Sequence, residues 1–328
     1  MTLYPWQTLQ WTNIQQALEQ GRLAHALLLT GPEGMGKDHF AQHLATSILC
    51  QNRDPNHQAC GECRSCQLYQ SGNQPDLIQI APEESGKQIG IDAVRSLGAF
   101  VALKPQISNY KCIVVKEAHM MNNNAANALL KTLEEPSDNT HLILVTSQPA
   151  KLLPTILSRC QQLQFSPDFS SRSTDWIAQE LTNLNIVNSD TAQLIQMANG
   201  APLRAIQHAQ NGTQLQIDDF SKLLYGLSQN RVSATEAAEK WLKISRESDF
   251  FVLDWYYQII HSQLLKETLG KENASFTLPN ETAELISNMP KKGLFHFMDE
   301  MQKSKRAWFT QANQQLLLEG LFLRWQNL

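Results

Sequence analysis

The sequence has no long apolar run, no basic opening segment and no excess of charge of one sign. None of its apolar stretches approaches the ~18 residues that a membrane-spanning helix requires. Its first positively charged side chain is Arg22, so no secretory signal is expected. Aspartate and glutamate outnumber lysine and arginine, 31 to 27, which gives a net charge of −4 and argues against binding nucleic acid through overall charge. We therefore expect a cytoplasmic protein whose nucleic-acid contacts come from a local patch or from partner chains.

Repeats and low-complexity tracts are also absent, and the composition is that of a globular protein. The 328 residues, 42% of them hydrophobic, are enough for two or three domains with cores of their own. The six cysteines are expected to be reduced or metal-bound, because disulfides are rare in the cytoplasm.

Strand-like and helix-like segments alternate from about residue 23 to residue 165. Short apolar runs predict five strands, at 27–30, 77–80, 113–115, 141–146 and 163–165. Strands that alternate with helices are typical of a parallel sheet that is buried on both faces. The first half is therefore predicted to be an α/β domain.

After Pro167 the strand pattern disappears and helical patterns replace it. Short helices are predicted over 173–210, and an all-helical region from about residue 213. The stretch 279–290, rich in proline and asparagine, is expected to form a loop, and 316–325, which is apolar on most sides, is expected to be buried against other helices. One helix is predicted from an apolar stripe: Val252, Trp255, Ile259 and Ile260.

A glycine-rich turn follows the first predicted strand, with the pattern G-x-x-x-x-G-K over residues 31–37. Backbone N–H groups of such a turn converge on phosphate oxygens, and the following helix N-terminus adds positive potential. The next position, where a Ser or Thr hydroxyl would ligate magnesium, is Asp38. The sequence thus predicts a phosphate-binding loop with a defect at its metal position.

Four of the cysteines have the spacing C-x9-C-x2-C-x2-C: Cys50, Cys60, Cys63 and Cys66. Four thiolates at these spacings suit tetrahedral zinc, and Gly61 lets the backbone fold tightly around the metal. Because four sulfur ligands leave no open coordination position, such a zinc would be structural. A cluster of free thiols is the alternative. Cys112 and Cys160 are expected to be packing residues.

Taken together, these motifs resemble those of AAA+ clamp-loader subunits of bacterial DNA polymerase III. The residues that carry the resemblance are the loop after Gly-Arg-Leu-Ala-His-Ala-Leu-Leu-Leu (21–29), the four-cysteine insert, Asn-Ala-Leu-Leu-Lys-Thr-Leu-Glu-Glu-Pro (127–136) and Ser158-Arg159-Cys160. The resemblance covers the chain to about residue 210 by motif, and the rest by length and helical class. It implies three domains: an AAA+ P-loop core (1–166) with the zinc insert at 50–66, a small helical lid (167–210) and an all-helical collar (211–328).

The resemblance also implies a function within a larger assembly. Subunits of this family form a five-membered ring that opens a sliding clamp and places it on primed DNA, using ATP bound at subunit interfaces. The implied partners are ATPase subunits of the gamma/tau type, the clamp-opening delta subunit, the sliding clamp and primer–template DNA, with no membrane. The ring serves the polymerase holoenzyme, a nucleotidyltransferase, but this chain is expected to have neither polymerase nor significant ATPase activity of its own.

The nucleotide-site residues of the family carry over unevenly. The third predicted strand is followed by Lys116-Glu117 where the family has Asp-Glu, so a lysine replaces the magnesium-binding aspartate while the glutamate that would polarise water is retained. Phosphoryl transfer depends on metal-borne charge neutralisation, so we expect hydrolysis to fail and ATP or ADP binding to be weak or absent. The degenerate site comprises Gly31, Gly34, Gly36, Lys37, Asp38, Lys116, Glu117 and Arg204.

Arg159 is intact and resembles the family's arginine finger, which reaches across an interface to the γ-phosphate held by a neighbour. A guanidinium suits this task because it stays charged and can bind two oxygens at once. The alternative is a plain surface charge at a helix end. Arg204 resembles the lid arginine that senses the γ-phosphate, its alternative being a solvated helix residue. Lys131, on a helix that faces the ring interior in the family, is a candidate DNA contact.

Two other functions compete with this interpretation. One is an active ATPase of the gamma/tau type, against which Asp38 and Lys116 argue. The other is a P-loop nucleotide kinase with a zinc insert, against which the helical second half and the motif around Arg159 argue.

Overall fold

The computed structural model describes residues 2–84, 86–186, 190–244, 250–269, 280–308 and 312–328. The chain divides into two compact units. The first consists of Met1–Trp176 and Gly200–Arg204, and the second of Ile177–Asn199 and Ala205–Leu328. The expected division into three domains stays a prediction.

The first unit is built on a parallel sheet. Its five strands are β1 (Ala26–Thr30), β2 (Leu77–Ile80), β3 (Lys111–Val115), β4 (Thr140–Thr146) and β5 (Gln161–Gln164). Their spatial order is β2-β3-β4-β1-β5, and every neighbouring pair is parallel. β1 and β3 are buried along their whole length, which explains why both contain continuous apolar runs. The predicted α/β sheet is confirmed, with β1, β3, β4 and β5 beginning one or two residues earlier than expected.

Helices precede, separate and follow these strands along the chain. Up to residue 183 they are α1 (Thr8–Glu19), α2 (Lys37–Leu49), α3 (Arg64–Gln70), α4 (Ile91–Ala102), α5 (Asn123–Glu134), α6 (Pro154–Leu157) and α7 (Ser171–Asn183). Short 3-10 turns lie at Pro5–Gln7, Ala118–Met120 and Pro149–Lys151. One core joins the sheet to α5 and α6, and its fully buried members include Leu28, Ile113, Leu129, Leu144 and Ile156.

The strand register separates the two edges of the sheet. Thr30 pairs with Thr146, so the segments that follow β1 and β4 leave the sheet side by side at its carboxyl edge. Leu27 pairs with Gln161, the first residue of β5, so the chain enters β5 at the amino edge. Ligand-binding residues of open α/β sheets gather at the carboxyl edge.

The described part of the second unit is helical. From residue 191 onward the helices are α8 (Thr191–Met197), α9 (Pro202–Gln210), α10 (Thr213–Ser228), α11 (Ala234–Ile244), α12 (Phe250–Leu269), α13 (Asn280–Asn288), α14 (Lys291–Trp308) and α15 (Gln314–Gln326). Large aromatic residues fill its core: Phe220, Trp241, Tyr256, Phe322 and Trp325. The four residues of the predicted stripe on α12 are all buried. No helix in the described ranges is both long and apolar enough to cross a membrane.

One prediction for the second unit is wrong and another is confirmed. The stretch 279–290 was expected to be a loop, but Asn280–Asn288 is a helix with Ile286 buried. Its asparagines stand at the first and last helical positions, where loop-like residues serve as boundaries. The last helix was expected to be buried against other helices, and this is confirmed: α15 packs on α10, α11 and α14 and buries Leu318, Leu321, Phe322 and Trp325, while Leu316 and Leu323 are 63% and 51% exposed.

Candidate functional site

The glycine-rich turn lies at the carboxyl edge of the sheet, between β1 and α2. Gly31 has a φ of +145°, and a Cβ at this position would lie 2.1 Å from the carbonyl oxygen of Phe165. Only glycine fits such an approach of two backbones. α2 begins at Lys37, directly after the turn, so its N-terminus faces the space above the loop. The strand, turn and helix of a phosphate-binding loop are therefore all present.

Lys37 is folded back onto its own loop. Its side chain is buried, and the ammonium donates to the carbonyl oxygens of Gly31 at 2.8 Å and Pro32 at 2.6 Å. Burial lowers the pKa of Lys37, while the carboxylates of Asp38 and Glu33 oppose that shift. The lysine that would contact the outer phosphates thus has loop carbonyls as its partners.

Asp38 and Lys116, the residues at the two expected metal positions, have side chains of opposite charge. Burial raises the pKa of Asp38, and the ammonium groups of Lys116 and Lys37 oppose that shift. Lys116 follows β3 directly, and its N–H donates to the Ile80 carbonyl at 2.8 Å. A carboxylate at the start of α2 and an ammonium at the end of β3 therefore occupy the two positions that the sequence assigned to metal ligands. The retained Glu117 has a φ of +45°, in the left-handed region.

The segment before α1 packs on the phosphate loop, which sequence analysis missed. The buried Gln7 donates from Nε2 to the carbonyl oxygens of Met35 and Gly36, at 3.0 and 2.9 Å. The Tyr4 ring lies so close that a Cβ on Gly36 would be 2.7 Å from it. Its stacked partner Trp6 donates from Nε1 to Met35 at 3.1 Å. Two aromatic residues before an amphipathic helix were the available signal.

Two further rings complete this aromatic cluster. The Trp176 ring meets Tyr4 and Trp6 edge-on, with centroids 5.4 and 5.0 Å apart. His39, in the first turn of α2, lies 4.7 Å from the Tyr4 ring. The N-terminal segment is therefore held against the loop by ring packing as well as by hydrogen bonds.

Arg204 is brought to the phosphate loop by its backbone. The N–H of Leu203 donates to the Gly34 carbonyl at 3.1 Å, and a Cβ on Gly34 would lie 2.7 Å from the Cβ of Arg204. The residue expected to sense the γ-phosphate is thus adjacent to the loop, although 170 positions separate Gly34 from Arg204 in the sequence.

Arg159 lies at the opposite edge of the sheet from the loop. It follows α6 and precedes β5, which the chain enters beside Leu27, whereas the loop follows Thr30. Its side chain is 37% exposed and forms an ion pair with Glu134, Nη2 to Oε1, at 2.7 Å. Nη1 also donates to the Thr155 carbonyl at 3.1 Å. The structure therefore gathers the other predicted nucleotide-site residues at the carboxyl edge and leaves Arg159 apart from them.

The four cysteines of the insert converge on one point. Their sulfur atoms all lie within 4.8 Å of one another, with Cys50 Sγ 3.6 Å from that of Cys60 and 3.9 Å from that of Cys63. A tetrahedral zinc with Zn–S bonds of 2.3 Å would place its sulfurs about 3.8 Å apart. The N–H groups of Cys60 and Cys63 donate to the sulfurs of Cys50 and Cys60, both at 3.3 Å. The donor set and its spacing fit zinc.

One cysteine of the insert has a lowered pKa and so forms the thiolate readily. Burial raises the pKa of Cys50 and Cys66. Burial acts in the same direction on Cys63, but hydrogen bonds from the N–H groups of Cys66 and Gln51 outweigh it and lower the pKa of Cys63 to about 6. The thiolate is the form that binds a metal. Burial raises the pKa of Cys112 and Cys160, which lie outside the cluster, as expected for packing residues.

Comparisons with known proteins point to subunits of DNA polymerase III. The family described as "DNA polymerase III, delta subunit" matches residues 6–169. DNA polymerase III subunit delta' of Pseudomonas aeruginosa is 34% identical, over 99% of this chain and 98% of that protein. Subunit delta' of Escherichia coli is 28% identical, over 99% and 95%. Among solved structures, a gamma subunit-related protein from Thermotoga maritima aligns over 97% of this chain and 99% of that one, with a TM-score of 0.48 and 18% identity. On the full-length match to the Pseudomonas protein, the chain belongs to the DNA polymerase III delta' subunit family.

Proposed function

We propose that this chain is a non-hydrolysing AAA+ subunit of a bacterial clamp loader, which supplies Arg159 to the nucleotide site of a neighbouring ATPase. Membership of the delta' family supports the role in clamp loading. The observation that carries the rest is the separation of Arg159 from the chain's own loop. An arginine exposed at the amino edge of the sheet is better placed to reach a site on another molecule than to reach the chain's own loop at the carboxyl edge.

The state of the chain's own loop supports the absence of hydrolysis. Lys37 has loop carbonyls as its partners, and the metal positions hold Asp38 and Lys116. An ammonium about 4 Å from a cation costs roughly 4 kcal/mol per unit charge at an effective dielectric near 20. Swinging Lys116 away relieves this repulsion but leaves the magnesium ligand missing. ATP or ADP binding is therefore weak or absent, and turnover fails.

The four-cysteine insert is proposed to hold one structural zinc. Cys50, Cys60, Cys63 and Cys66 would be its ligands, and a closed sulfur shell leaves no position for a substrate. The zinc would fix the connection between α2 and α3 without taking part in phosphate chemistry.

The proposed partners follow from the family. They are gamma/tau ATPase subunits and the delta subunit in a hetero-pentameric ring, then the sliding clamp and primer–template DNA in the assembled complex. Lys131 is exposed near the end of α5 and is the proposed DNA contact. We place this assembly in the cytoplasm, with the rest of the replication machinery.

The test is clamp- and DNA-stimulated ATP hydrolysis by a loader reconstituted with this chain. Wild type, Arg159→Ala and the isolated chain are compared, with Arg95→Ala as the control for loss of an exposed arginine. We expect the isolated chain to be inactive. Arg159→Ala should abolish ATP turnover at the one neighbouring site that Arg159 faces, because an arginine finger contributes about 10³–10⁵ in rate. The pre-steady-state burst of hydrolysis should be smaller by that site's turnover. Assembly, measured by size-exclusion chromatography, should not change.

Two results would contradict the proposal. Hydrolysis by the isolated chain, insensitive to Arg159→Ala, would make it an ATPase of the gamma/tau type. Phosphorylation of a nucleoside monophosphate would make it a kinase.

A further inference from the structure

Two contacts hold the Arg159 guanidinium. Glu134 Oε1 accepts from Nη2 at 2.7 Å, and the Thr155 carbonyl accepts from Nη1 at 3.1 Å. A guanidinium has five N–H groups, so one each on Nε, Nη1 and Nη2 is not used by these two contacts. The side chain is held in one orientation and still has donors for a bidentate contact with phosphate oxygens.

Both ends of the ion pair are anchored in the core. Leu133, next to Glu134, and Cys160, next to Arg159, are 3% and 8% exposed and belong to the same buried cluster. α5 and α6 pack against each other in that cluster. The backbones on both sides are thus fixed, and the remaining freedom lies in the two long side chains. The ion pair restricts that freedom.

We propose that Glu134 is a positioning residue for Arg159: it holds the guanidinium ready for the γ-phosphate of a neighbouring subunit. This inference rests on the finger role proposed above. An arginine that samples many rotamers must be ordered each time the transition state forms, and the carboxylate supplies that order in advance. The two side chains are 37% and 50% exposed, and an ion pair that open to solvent is too weak to withhold the arginine from a multiply charged phosphate.

The experiment measures single-site ATP hydrolysis by the fully reconstituted loader. The variants are Glu134→Ala, Glu134→Gln, Arg159→Ala and the double variant Glu134→Ala/Arg159→Ala. Glu135→Ala is the matched control, because it removes the adjacent exposed carboxylate. Assembly of each ring is verified by size-exclusion chromatography.

We expect Glu134→Ala to lower kcat about three- to tenfold and to leave the KM for ATP within about twofold. Glu134→Gln should lose less, because its amide oxygen still accepts a hydrogen bond. Glu135→Ala should behave as wild type. The double variant should match Arg159→Ala alone, because Glu134 acts only through the arginine.

Each alternative result has a distinct meaning. A wild-type rate for Glu134→Ala beside a slow Arg159→Ala would overturn the positioning role and leave the finger intact. If Glu134→Ala hydrolysed ATP faster than wild type, Glu134 would be holding Arg159 away from the phosphate, which also overturns the proposal. An unaffected Arg159→Ala would remove the finger role itself and the positioning role with it.

Discussion

Single charges determine what the phosphate loop can do. The loop keeps its glycines and its lysine, but Lys37 donates to loop carbonyls and Lys116 occupies the position expected for a magnesium ligand. Glu117, which follows, keeps a left-handed backbone with a φ of +45°. Such strain in a non-glycine residue costs on the order of 1–3 kcal/mol and concentrates at functional sites. We interpret the loop as a nucleotide site whose scaffold is retained and whose metal chemistry is lost.

Restoring the two metal positions should restore metal-dependent binding. We expect Asp38→Thr with Lys116→Asp to tighten Mg-ATP binding about tenfold, because the new carboxylate attracts the cation and the ammonium no longer repels it. Isothermal titration calorimetry with and without magnesium measures the change.

The control for this pair of substitutions is Asp38→Thr alone. It removes the buried carboxylate but leaves Lys116 in place, so we expect little gain that depends on magnesium. Unchanged affinity in the double variant would instead show that Lys37 and the N-terminal segment keep the loop closed whatever its charges.

At the scale of elements, buried segments were predictable and packing between distant segments was not. β1, β3 and β4 are buried apolar runs, so each was found within one or two residues. The helix α13 was missed because its terminal asparagines resemble a loop. The aromatic cluster of Tyr4, Trp6 and Trp176 was missed because nothing local in a sequence says which segments meet.

The same contrast holds for the candidate site. The glycines and cysteines were found because each has a fixed spacing along the chain. The ion pair between Glu134 and Arg159 depends on how α5 meets α6, and the approach of Arg204 to Gly34 depends on the end of the first unit returning to the loop. Sequence patterns predict sites whose residues are close together in the chain, whereas contacts between residues of different elements can be identified only from the fold.

The four-cysteine insert makes a prediction at this scale. We expect about one zinc per chain by elemental analysis, because four sulfurs within 4.8 Å match the size of the ion's coordination shell. Cys63→Ser should lower the zinc content well below half, and Cys112→Ala, which alters a buried cysteine outside the cluster, should not. Near-zero zinc in the wild type, with all four insert thiols reactive, would contradict the site.

Across the whole molecule, charge is balanced rather than concentrated. The net charge is −4, and the lysines of the most basic stretch on α14 are already paired, Lys303 with Glu300 at 2.9 Å and Lys305 with Asp254 at 2.5 Å. Since affinity for DNA depends on how many phosphates a protein neutralises, this chain alone has little means of binding it. We therefore expect contacts with DNA only in the proposed assembled ring.

This leads to a prediction for the isolated chain and the assembled loader. By fluorescence anisotropy with a labelled primer–template, we expect no binding by the isolated chain at 150 mM salt and clear binding by the loader with its clamp. In the loader, Lys131→Ala should weaken binding and reduce the slope of log K against log salt by about 1, because one phosphate contact is lost. Lys303→Ala, whose ammonium is paired with Glu300, should leave the slope unchanged. Tight binding by the chain alone, or equal slopes for the two variants, would place the DNA contacts elsewhere on this subunit or on its neighbours.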